Sequence, residues 1–333
     1  MMKAMIIEKY GKYPFLLADI PTPAVGDYDV LAEIHAASIN PIDVKVRDGK
    51  VRMLLKYDMP LVLGNDFSGI VIKVGNKVNK FKIGDEIYGR PRKSRIGTFA
   101  EYISIHEDDI ALKPQNLTFE EAASIPLVGL TSYQALHDIL QLSAGQKVLI
   151  QAGSGGVGTF AIQLAKSMGI YVVTTTSDAG AKLVKSLGAD HIINYRTEQF
   201  DKVLHNYDGV FDTIGGETLE KVFKTVKQGG QIVSVSGLPN ARFGEEYGAG
   251  FIKTNIFRFI TRKLTKLEMK YNVKYSFLFM KPSGRQLGLI AELIESGKIK
   301  PVIDLIFPFE EAQKAMEYSE SGRAKGKIIL KIK

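Results

Sequence analysis

The middle of the chain carries the stretch that decides the fold, Lys147-Val148-Leu149-Ile150-Gln151-Ala152-Gly153-Ser154-Gly155-Gly156-Val157-Gly158. A short apolar strand pattern runs into a glycine-rich turn, and a helical pattern follows over 159–168. In a GxGxxG turn the first glycine permits a tight bend, the second lets backbone approach a pyrophosphate, and the third lets helix and strand pack closely. The string alone is weak, but its place between strand and helix predicts that residues 153–158 bind a dinucleotide; a purely structural glycine loop is the alternative.

Strands and helices alternate after this turn. The pattern predicts strands at 171–176, 210–212 and 231–235, and helices at 179–187 and 217–226. Such alternation is typical of a doubly wound parallel sheet with helices on both faces. We therefore predict an α/β nucleotide-binding domain of the Rossmann type over residues 123–271.

The first part of the chain follows a different pattern, that of a mostly β lobe. Glycine-containing turns separate short strand patterns at 2–8, 30–37, 68–74 and 99–105. The pattern changes at Thr118, which precedes two glutamates closely enough to cap a helix. After a helical pattern at 286–296, an isoleucine-rich strand at 325–332 is expected to return to this lobe. We predict a β barrel built from residues 1–122 and 272–333, discontinuous in sequence.

Composition excludes several classes of protein. The 333 residues are 45% hydrophobic and 24% charged, which is typical of a globular chain with a sizeable core. The chain has no cysteine, and this excludes disulfides, cysteine-ligated zinc and thiol nucleophiles. No apolar run approaches the ~18 residues of a membrane span. The N-terminal residues lack the pattern of an export signal, so we expect a cytoplasmic location.

The histidines give no sign of a metal site. None of the spacings between them is that of a ligand pair, so each is expected to be a surface or packing residue: His35, His106, His137, His191 and His205. Without a metal, alcohol oxidation loses the group that usually lowers the pKa of the alcohol, whereas reduction of an activated acceptor stays feasible. We predict no metal.

The end of the second strand of the α/β domain predicts which dinucleotide binds. An NAD-specific site usually has an acid there, about 20 residues after the glycine turn, to accept hydrogen bonds from the adenosine ribose. Here the strand ends in threonines and serine, and Asp178 lies in the turn beyond, where it is expected to cap the next helix. The hydroxyls and nearby cations suit a 2'-phosphate and predict NADPH, although the cations could be plain surface charges: Thr176, Ser177, Lys182, Tyr195 and Arg196.

Several collinear motifs resemble those of the medium-chain dehydrogenase/reductase superfamily, specifically its zinc-free quinone oxidoreductase and enone reductase branch. They run over almost the whole chain: Asn40-Pro41-Ile42-Asp43-Val44-Lys45, Gly64-Asn65-Asp66-Phe67-Ser68-Gly69, Gly129-Leu130-Thr131-Ser132-Tyr133, the glycine turn, Leu187-Gly188-Ala189-Asp190, Phe211-Asp212-Thr213-Ile214-Gly215-Gly216, Gly297-Lys298-Ile299 and Pro301-Val302-Ile303. Zinc-dependent members carry Gly-His-Glu where this chain has Gly64-Asn65-Asp66. The resemblance implies a GroES-like barrel lobe joined to a Rossmann domain.

The resemblance also implies a reaction, the NADPH-dependent and zinc-independent reduction of quinones or of the C=C bond of α,β-unsaturated carbonyls. Two alternatives stay open: an NADPH-binding regulatory or RNA-binding protein without turnover, and a zinc-free alcohol dehydrogenase. The family suggests a homodimer and a small-molecule partner, and no nucleic acid is expected.

The same resemblance assigns catalytic candidates. It places Asn40, Asp43 and Lys45 beside the nicotinamide, where Lys45 could contact the cofactor or polarise a carbonyl oxygen. In the alternative reading Asn40 shapes a turn and Asp43 pairs with Lys45 or Arg47. Tyr57 is a more remote candidate for donating a proton.

Residue-wise analogy extends to the cofactor. It assigns Thr131 and the Gly156 and Val157 amides to the phosphates, and Ser177, Lys182 and Tyr195 to the adenosine phosphate. The analogy lines the nicotinamide ribose with Ile214, Gly237 and Leu238. It closes the cleft from the barrel side with Phe277, Leu278, Phe279, Lys325 and Gly326. Phe277 and Phe279 could equally be core aromatics.

A basic segment, Lys253 to Lys274, carries seven basic residues and one acid. Basic residues recur at about every fourth position with isoleucines and leucines between them, which predicts an amphipathic helix. Contact with an anionic membrane surface is one interpretation. A lid with a solvated basic face is the favoured alternative, because no tryptophan anchors an interface.

Overall fold

The computed structural model describes all residues, 1–333, and the chain forms two compact units. The first comprises Met1–Leu130 and Lys281–Lys333, and the second comprises Thr131–Met280. The boundaries lie 8 and 9 residues after the predicted positions, 122/123 and 271/272. The second shift has a clear cause, because strand Lys274–Phe277 pairs with the sheet of the second unit.

The first unit begins with strands wound around one apolar core. Its elements up to the boundary are β1 Met2–Ile7, β2 Leu16–Ile20, β3 Asp29–Ile39, α1 Pro41–Arg47, β4 Leu61–Val62, β5 Phe67–Val74, β6 Glu86–Gly89, β7 Tyr102–His106, β8 Ile110–Leu112 and α2 Phe119–Ala123, and α3 Pro126–Tyr133 crosses the boundary. Alternate residues of β3, among them Val30 and Ile34, meet Phe67, Val71 and Ile87 in a core that excludes water. Thr118 caps α2 in a reciprocal capping box with Glu121, as its sequence predicts.

The second unit is a six-stranded parallel sheet with helices. Its elements are β9 Lys147–Ile150, α4 Gly156–Ser167, β10 Tyr171–Thr176, α5 Asp178–Ser186, β11 His191–Asn194, α6 Phe200–Val203, β12 Tyr207–Asp212, α7 Gly216–Val222, β13 Val226–Ser234, α8 Ala241–Glu246, α9 Gly250–Ile260, α10 Arg262–Tyr271 and β14 Lys274–Phe277. The strand order is β11-β10-β9-β12-β13-β14, and every pair is parallel. This is the order of the dinucleotide-binding doubly wound sheet, so the predicted fold class is confirmed.

The last segment returns to the first unit. It contains α11 Gly284–Glu295, β15 Ile303–Pro308, α12 Ala312–Glu320 and β16 Lys327–Lys331. β16 lies between β15 and β3 in a seven-stranded sheet, antiparallel to β3. The predicted return of the isoleucine-rich strand is therefore confirmed, and the strand lies inside the sheet and not at its edge.

The basic segment forms two helices, which corrects the single amphipathic helix predicted for it. Helix α9 ends at Ile260 and α10 begins at Arg262, with Thr261 buried between them. The Thr261 hydroxyl donates a hydrogen bond to the carbonyl of Phe257 at 2.6 Å. No helix of the structure combines the length and hydropathy needed to cross a membrane.

Candidate active site

The glycine turn between β9 and α4 is fixed by hydrogen bonds to the neighbouring strand. The Gly153 amide donates to the Thr175 carbonyl at 2.9 Å, and the Ala152 amide donates to the Thr175 hydroxyl at 3.1 Å. Gly155 is the N-cap of α4 with extended backbone, φ −81° and ψ 169°. The chain thus enters α4 with the first amides of the helix directed away from the strand and the positive end of the helix dipole at the turn.

The three motif glycines do different work. A Cβ atom at Gly153 would lie 2.1 Å from the Thr174 hydroxyl oxygen, and one at Gly158 would lie 2.4 Å from the Ala152 carbonyl oxygen, so both positions are closed by internal packing. A Cβ at Gly155 would approach only the Ala152 carbonyl oxygen, at 3.4 Å, which is an ordinary contact. Neither packing nor backbone conformation therefore requires glycine at position 155. Open space beside helix amides is what a pyrophosphate needs, so the turn fits a dinucleotide.

The end of β10 carries hydroxyls and no free acid. The Thr176 hydroxyl is 3.1 Å from that of Ser154, which ties the strand end to the glycine turn. Asp178 is the first residue of α5 and not its cap, which corrects the predicted capping role. Its carboxylate instead accepts a hydrogen bond from the Asn194 side chain at 2.8 Å. Ser177 occupies the N-cap position, and its hydroxyl makes no capping hydrogen bond.

Two of the residues predicted for the 2'-phosphate, Ser177 and Tyr195, lie at this strand end. The Tyr195 amide donates to the Thr176 carbonyl at 3.2 Å, so Tyr195 immediately follows β11 beside the end of β10. Lys182, on α5, and Arg196, after β11, are exposed, and the Tyr195 ring is 57% exposed. The structure therefore brings Ser177, Tyr195 and the end of β10 to one edge of the sheet, and their role toward a phosphate stays a prediction.

A buried aspartate organises the loops after β12 and β13. Asp212 accepts hydrogen bonds from the amides of Ile214 at 3.1 Å and Gly215 at 2.9 Å, and from the hydroxyl of Ser234. Ser234 in turn accepts from the Gly237 amide at 2.7 Å. Burial raises the pKa of Asp212, and the hydrogen bonds partly offset this rise.

This network presents two apolar side chains at the carboxyl edge of the sheet. Ile214 is 48% exposed and Leu238 is 46% exposed, each on a loop that Asp212 or Ser234 holds. The Leu238 carbonyl accepts a hydrogen bond from the Tyr275 hydroxyl at 2.8 Å. The structure thus brings together Ile214, Gly237 and Leu238, which the resemblance assigns to the nicotinamide ribose.

Other cofactor candidates also lie in the second unit. Thr131 is buried in α3, and the neighbouring Ser132 hydroxyl donates to the Val157 carbonyl at 3.4 Å. Phe277 ends β14, and the Leu278 amide donates to the Ser234 carbonyl at 2.8 Å. Residues 277–279 therefore belong to the nucleotide-binding unit, which corrects their assignment to the barrel side.

The two phenylalanines of this stretch pack in an aromatic cluster. Ring centroids lie 5.1 Å apart for Phe243 and Phe277, 6.1 Å for Phe243 and Phe279, and 5.6 Å for Tyr247 and Phe279. The sequence allowed Phe277 and Phe279 to be either a wall of the cofactor cleft or core aromatics. These ring contacts agree with the second interpretation. Of the predicted wall, only Lys325 and Gly326 lie in the first unit, just before β16.

The catalytic candidates of the first unit belong to a buried polar cluster. The Asp43 carboxylate accepts from the Asn40 amide at 2.7 Å and from the Asn65 side chain at 2.6 Å. The Asn65 side-chain oxygen accepts from the Arg90 guanidinium at 3.1 Å. All four side chains are at most 4% exposed, so the cluster is shielded from water. Asp43 pairs with neither Lys45 nor Arg47, which corrects that alternative, because Arg47 binds Asp48 and Glu320.

A second half of the cluster surrounds Asp66. Its carboxylate accepts from the Ser38 hydroxyl at 2.5 Å and from the Asn40 side chain at 2.9 Å, and it lies 3.5 Å from the Lys327 ammonium. Lys327 also donates to the Asn40 side-chain oxygen at 2.5 Å. Two carboxyls and two cations are thus buried together, with polar partners for each. The sequence did not predict four members of this cluster as site residues: Asn65, Asp66, Arg90 and Lys327. The motif Gly64-Asn65-Asp66 was a signal for Asn65 and Asp66, whereas no local pattern indicated Arg90 or Lys327.

Burial changes the protonation of this cluster. Desolvation raises the pKa of Asp43 to about 7, and the charge of Asp66 adds to the rise. Burial lowers the pKa of Lys45, helped by the charge of Lys50. Lys45 is half-buried and no carboxylate pairs with its ammonium group. Asp43 is therefore a carboxyl that can hold a proton near neutral pH, and Lys45 is a cation open to an outside partner.

The residues that zinc would need are not assembled here. No group of three histidine, cysteine, aspartate or glutamate side chains is placed to hold a metal ion. His35 packs on Phe119 with ring centroids 4.1 Å apart, His106 accepts from the Asp108 amide, and His137 stacks on Tyr133. At Gly64-Asn65-Asp66 the two polar side chains are engaged in the buried cluster described above.

Comparisons with known proteins agree with this architecture. The family described as alcohol dehydrogenase GroES-like domain matches residues 26–115, and the family described as zinc-binding dehydrogenase matches residues 187–330. A mitochondrial NAD(P)H oxidoreductase of Danio rerio is 33% identical over 99% of this chain and 91% of its own length. A chloroplastic NADPH-dependent alkenal/one oxidoreductase of Arabidopsis thaliana is 34% identical over 99% of this chain and 79% of its own. The quinone oxidoreductase structure from Coxiella burnetii has a TM-score of 0.87 and 34% identity, covering 100% and 99% of the two chains.

A barrel unit joined to a doubly wound nucleotide-binding unit defines an oxidoreductase class, and the similarity extends over the full length of this chain. The chain belongs to the medium-chain dehydrogenase/reductase superfamily, in its zinc-free quinone oxidoreductase and enone reductase branch.

Two alanine substitutions separate binding from packing in the glycine turn. Gly155→Ala is expected to leave the melting temperature nearly unchanged. It should weaken NADPH binding by about tenfold or more, because the added Cβ would take the space beside the helix amides and displace the pyrophosphate from a charge-assisted hydrogen bond worth about 1.5–3 kcal/mol. Gly158→Ala is expected to destabilise the protein by about 1–3 kcal/mol, because its Cβ meets backbone. Fluorescence titration with NADPH and thermal unfolding give the two readouts. Equal loss of stability in both variants would contradict this division of roles.

Asp43 is expected to make stability depend on pH. The unfolded chain loses the Asp43 proton near the ordinary pKa of 3.8, whereas the folded chain keeps it up to about 7, so stability falls as pH rises through this interval. Asp43→Asn should flatten the fall of melting temperature between pH 4.5 and 7.5, followed by circular dichroism. The control is Asp19→Asn, an exposed aspartate. A slope in Asp43→Asn as steep as in the wild type would refute the assignment.

Proposed function

We propose that this protein is an NADPH-dependent reductase of quinones or of the C=C bond of α,β-unsaturated carbonyls. The observation that carries the proposal is the open position at Gly155 beside the amides of α4, together with a strand end that offers Thr176 and Ser177 hydroxyls and no free acid. An alkenal/one oxidoreductase and a quinone oxidoreductase, each 34% identical to this chain, support the choice of acceptors.

The second unit would bind and orient the cofactor. The amides of Gly156 and Val157 would hold the pyrophosphate, and Ser177, Lys182 and Tyr195 would hold the 2'-phosphate. Ile214, Gly237 and Leu238 would contact the ribose next to the nicotinamide, on loops that Asp212 and Ser234 fix before binding. NADPH supplies the hydride when bound.

The first unit would supply polarisation, and the proton would come from solvent. Reduction of an enone or a quinone by a hydride leaves an anion that must be protonated. Lys45 has an ammonium group without a carboxylate partner, and we assign it to the acceptor's oxygen. Burial raises the pKa of Asp43 to about 7, so this carboxyl of the buried cluster exchanges its proton near neutral pH, and we assign it the upkeep of charge balance there as the acceptor is reduced.

A panel of acceptors tests the proposal. NADPH oxidation is followed at 340 nm with quinones, with enones and with no acceptor, and the reverse reaction is followed with NADP⁺ and simple alcohols. We expect turnover with a quinone or an enone and none with alcohols. Tight NADPH binding with no acceptor that oxidises it would contradict the proposal and favour a binding protein without turnover. Lys45→Met should lower kcat with little change in the Kd of NADPH.

The choice of NADPH over NADH has its own test. Lys182→Gln should raise the Kd of NADPH about 10- to 100-fold, the value of one charge-assisted hydrogen bond, and leave the Kd of NADH unchanged. Lys185→Gln, an exposed lysine later on the same helix, is the matched control and should change neither value. Equal weakening of both cofactors in Lys182→Gln would show that Lys182 does not read the 2'-phosphate.

A further inference from the structure

Helix α9 presents apolar side chains to solvent. Phe251 is 84% exposed, Ile252 75%, Phe259 67% and Ile256 42%. Isolated exposed hydrophobic residues are common on protein surfaces, but four within nine residues form a patch. An exposed apolar patch on a basic segment indicates an interaction site.

The patch lies on the side of α9 that faces away from the protein. Thr254, Phe257 and Thr261 are the buried residues of this helix and its end, with Phe257 at most 1% exposed. At about 100° per residue, Ile252, Ile256 and Phe259 lie within an arc of about 60° on the opposite side. The apolar arc is therefore directed to solvent by the same contacts that hold the helix in place.

The segment that carries the apolar arc is strongly basic. Within residues 250–271 there are six basic residues and one acid, a net charge of +5. The Arg262 guanidinium lies over the Phe259 ring at 5.5 Å from its centroid, so a cation of α10 adjoins the apolar patch of α9. On α10, Lys266 and Lys270 are exposed, whereas Leu264 packs into the core of the second unit. Outward apolar residues rimmed by cations are the pattern of a helix that lies in a membrane interface.

We propose that α9 and α10 form a docking surface for an anionic lipid bilayer, with the phenylalanine and isoleucine side chains of α9 in the headgroup region and the cations on lipid phosphates. This surface is independent of the proposed reaction. At about 16 Å, α9 is too short to cross a bilayer and long enough to lie along its surface.

Charge favours a bilayer over a second copy of the chain. A symmetric contact through α9 would bring the two sets of cations together. The single acid, Glu268, is already engaged by Arg242 and by the Tyr275 amide. Arg258 pairs with Glu245 at 3.5 Å and Lys263 pairs with Glu220 at 2.6 Å, so Lys266 and Lys270 are the exposed cations to which an anionic bilayer supplies counter-charge, each contributing about a fivefold gain in affinity.

Vesicle co-sedimentation tests the proposal. The full chain is mixed with phosphatidylcholine vesicles with or without about 30 mol% phosphatidylglycerol, at about 50 and 500 mM NaCl. We expect pelleting only with anionic vesicles, and less of it at high salt. The double variant Ile252→Gln with Phe259→Gln should bind about tenfold more weakly or worse, and Lys266→Gln with Lys270→Gln should weaken binding about 25-fold at low salt.

Matched variants control for general surface changes. Ile83→Gln replaces a 64% exposed isoleucine of the first unit, and Lys185→Gln with Lys221→Gln removes two exposed lysines of the second. Both should bind vesicles like the wild type, and all variants should keep their melting temperature. Absence of pelleting, equal pelleting with neutral vesicles, or unchanged binding by the α9 variant would each overturn the proposal. Sedimentation velocity that shows self-association abolished by the α9 variant would overturn it in favour of a second copy.

Discussion

The close approach of helix α4 to strands β9 and β10 is the constraint on which the nucleotide-binding unit depends. Gly153 and Gly158 permit it, because any side chain there would occupy the space of Thr174 or of the Ala152 carbonyl. Once the helix is seated, its first amides and the hydroxyl-rich end of β10 come to the same edge of the sheet. Gly155 then stands out as the motif glycine that packing does not require.

The barrel unit depends on a different constraint, the burial of several charged side chains. Asp43, Asp66, Arg90 and Lys327 lie in one water-excluded cluster, and the amides of Asn40 and Asn65 connect them. Removing Asp66 would leave the Lys327 ammonium buried without the carboxylate 3.5 Å away, so these two members depend on each other. The pKa of Asp43 is raised mainly by burial, and the charge of Asp66 adds to the rise, whereas the hydrogen bond from Asn65 and the charge of Lys327 oppose it.

Local pattern was enough to predict the elements whose signals are local. Strand β10 begins and ends at the predicted residues, Tyr171 and Thr176, because a continuous run of β-branched valines and threonines is bounded by clear turn residues. The glycine turn and the Thr118 cap were predictable for the same reason. Lys327 was not, since its partners Asn40 and Asp66 are more than 250 residues away in sequence. Alternating phenylalanines at 277 and 279 predict a strand without indicating which sheet it joins, and this explains the misplaced domain boundary. The break at Thr261 depends on burial, which the spacing of cations does not encode.

The position of β16 between β15 and β3 has a consequence for biosynthesis. The barrel cannot close its sheet, nor can Lys327 neutralise Asp66, until residues beyond 326 have left the ribosome. All strands of the parallel sheet lie between Lys147 and Phe277, so that unit can fold while translation continues. The nascent chain would then carry a finished parallel sheet while β3 still lacks its β16 neighbour and Asp66 still lacks its cation.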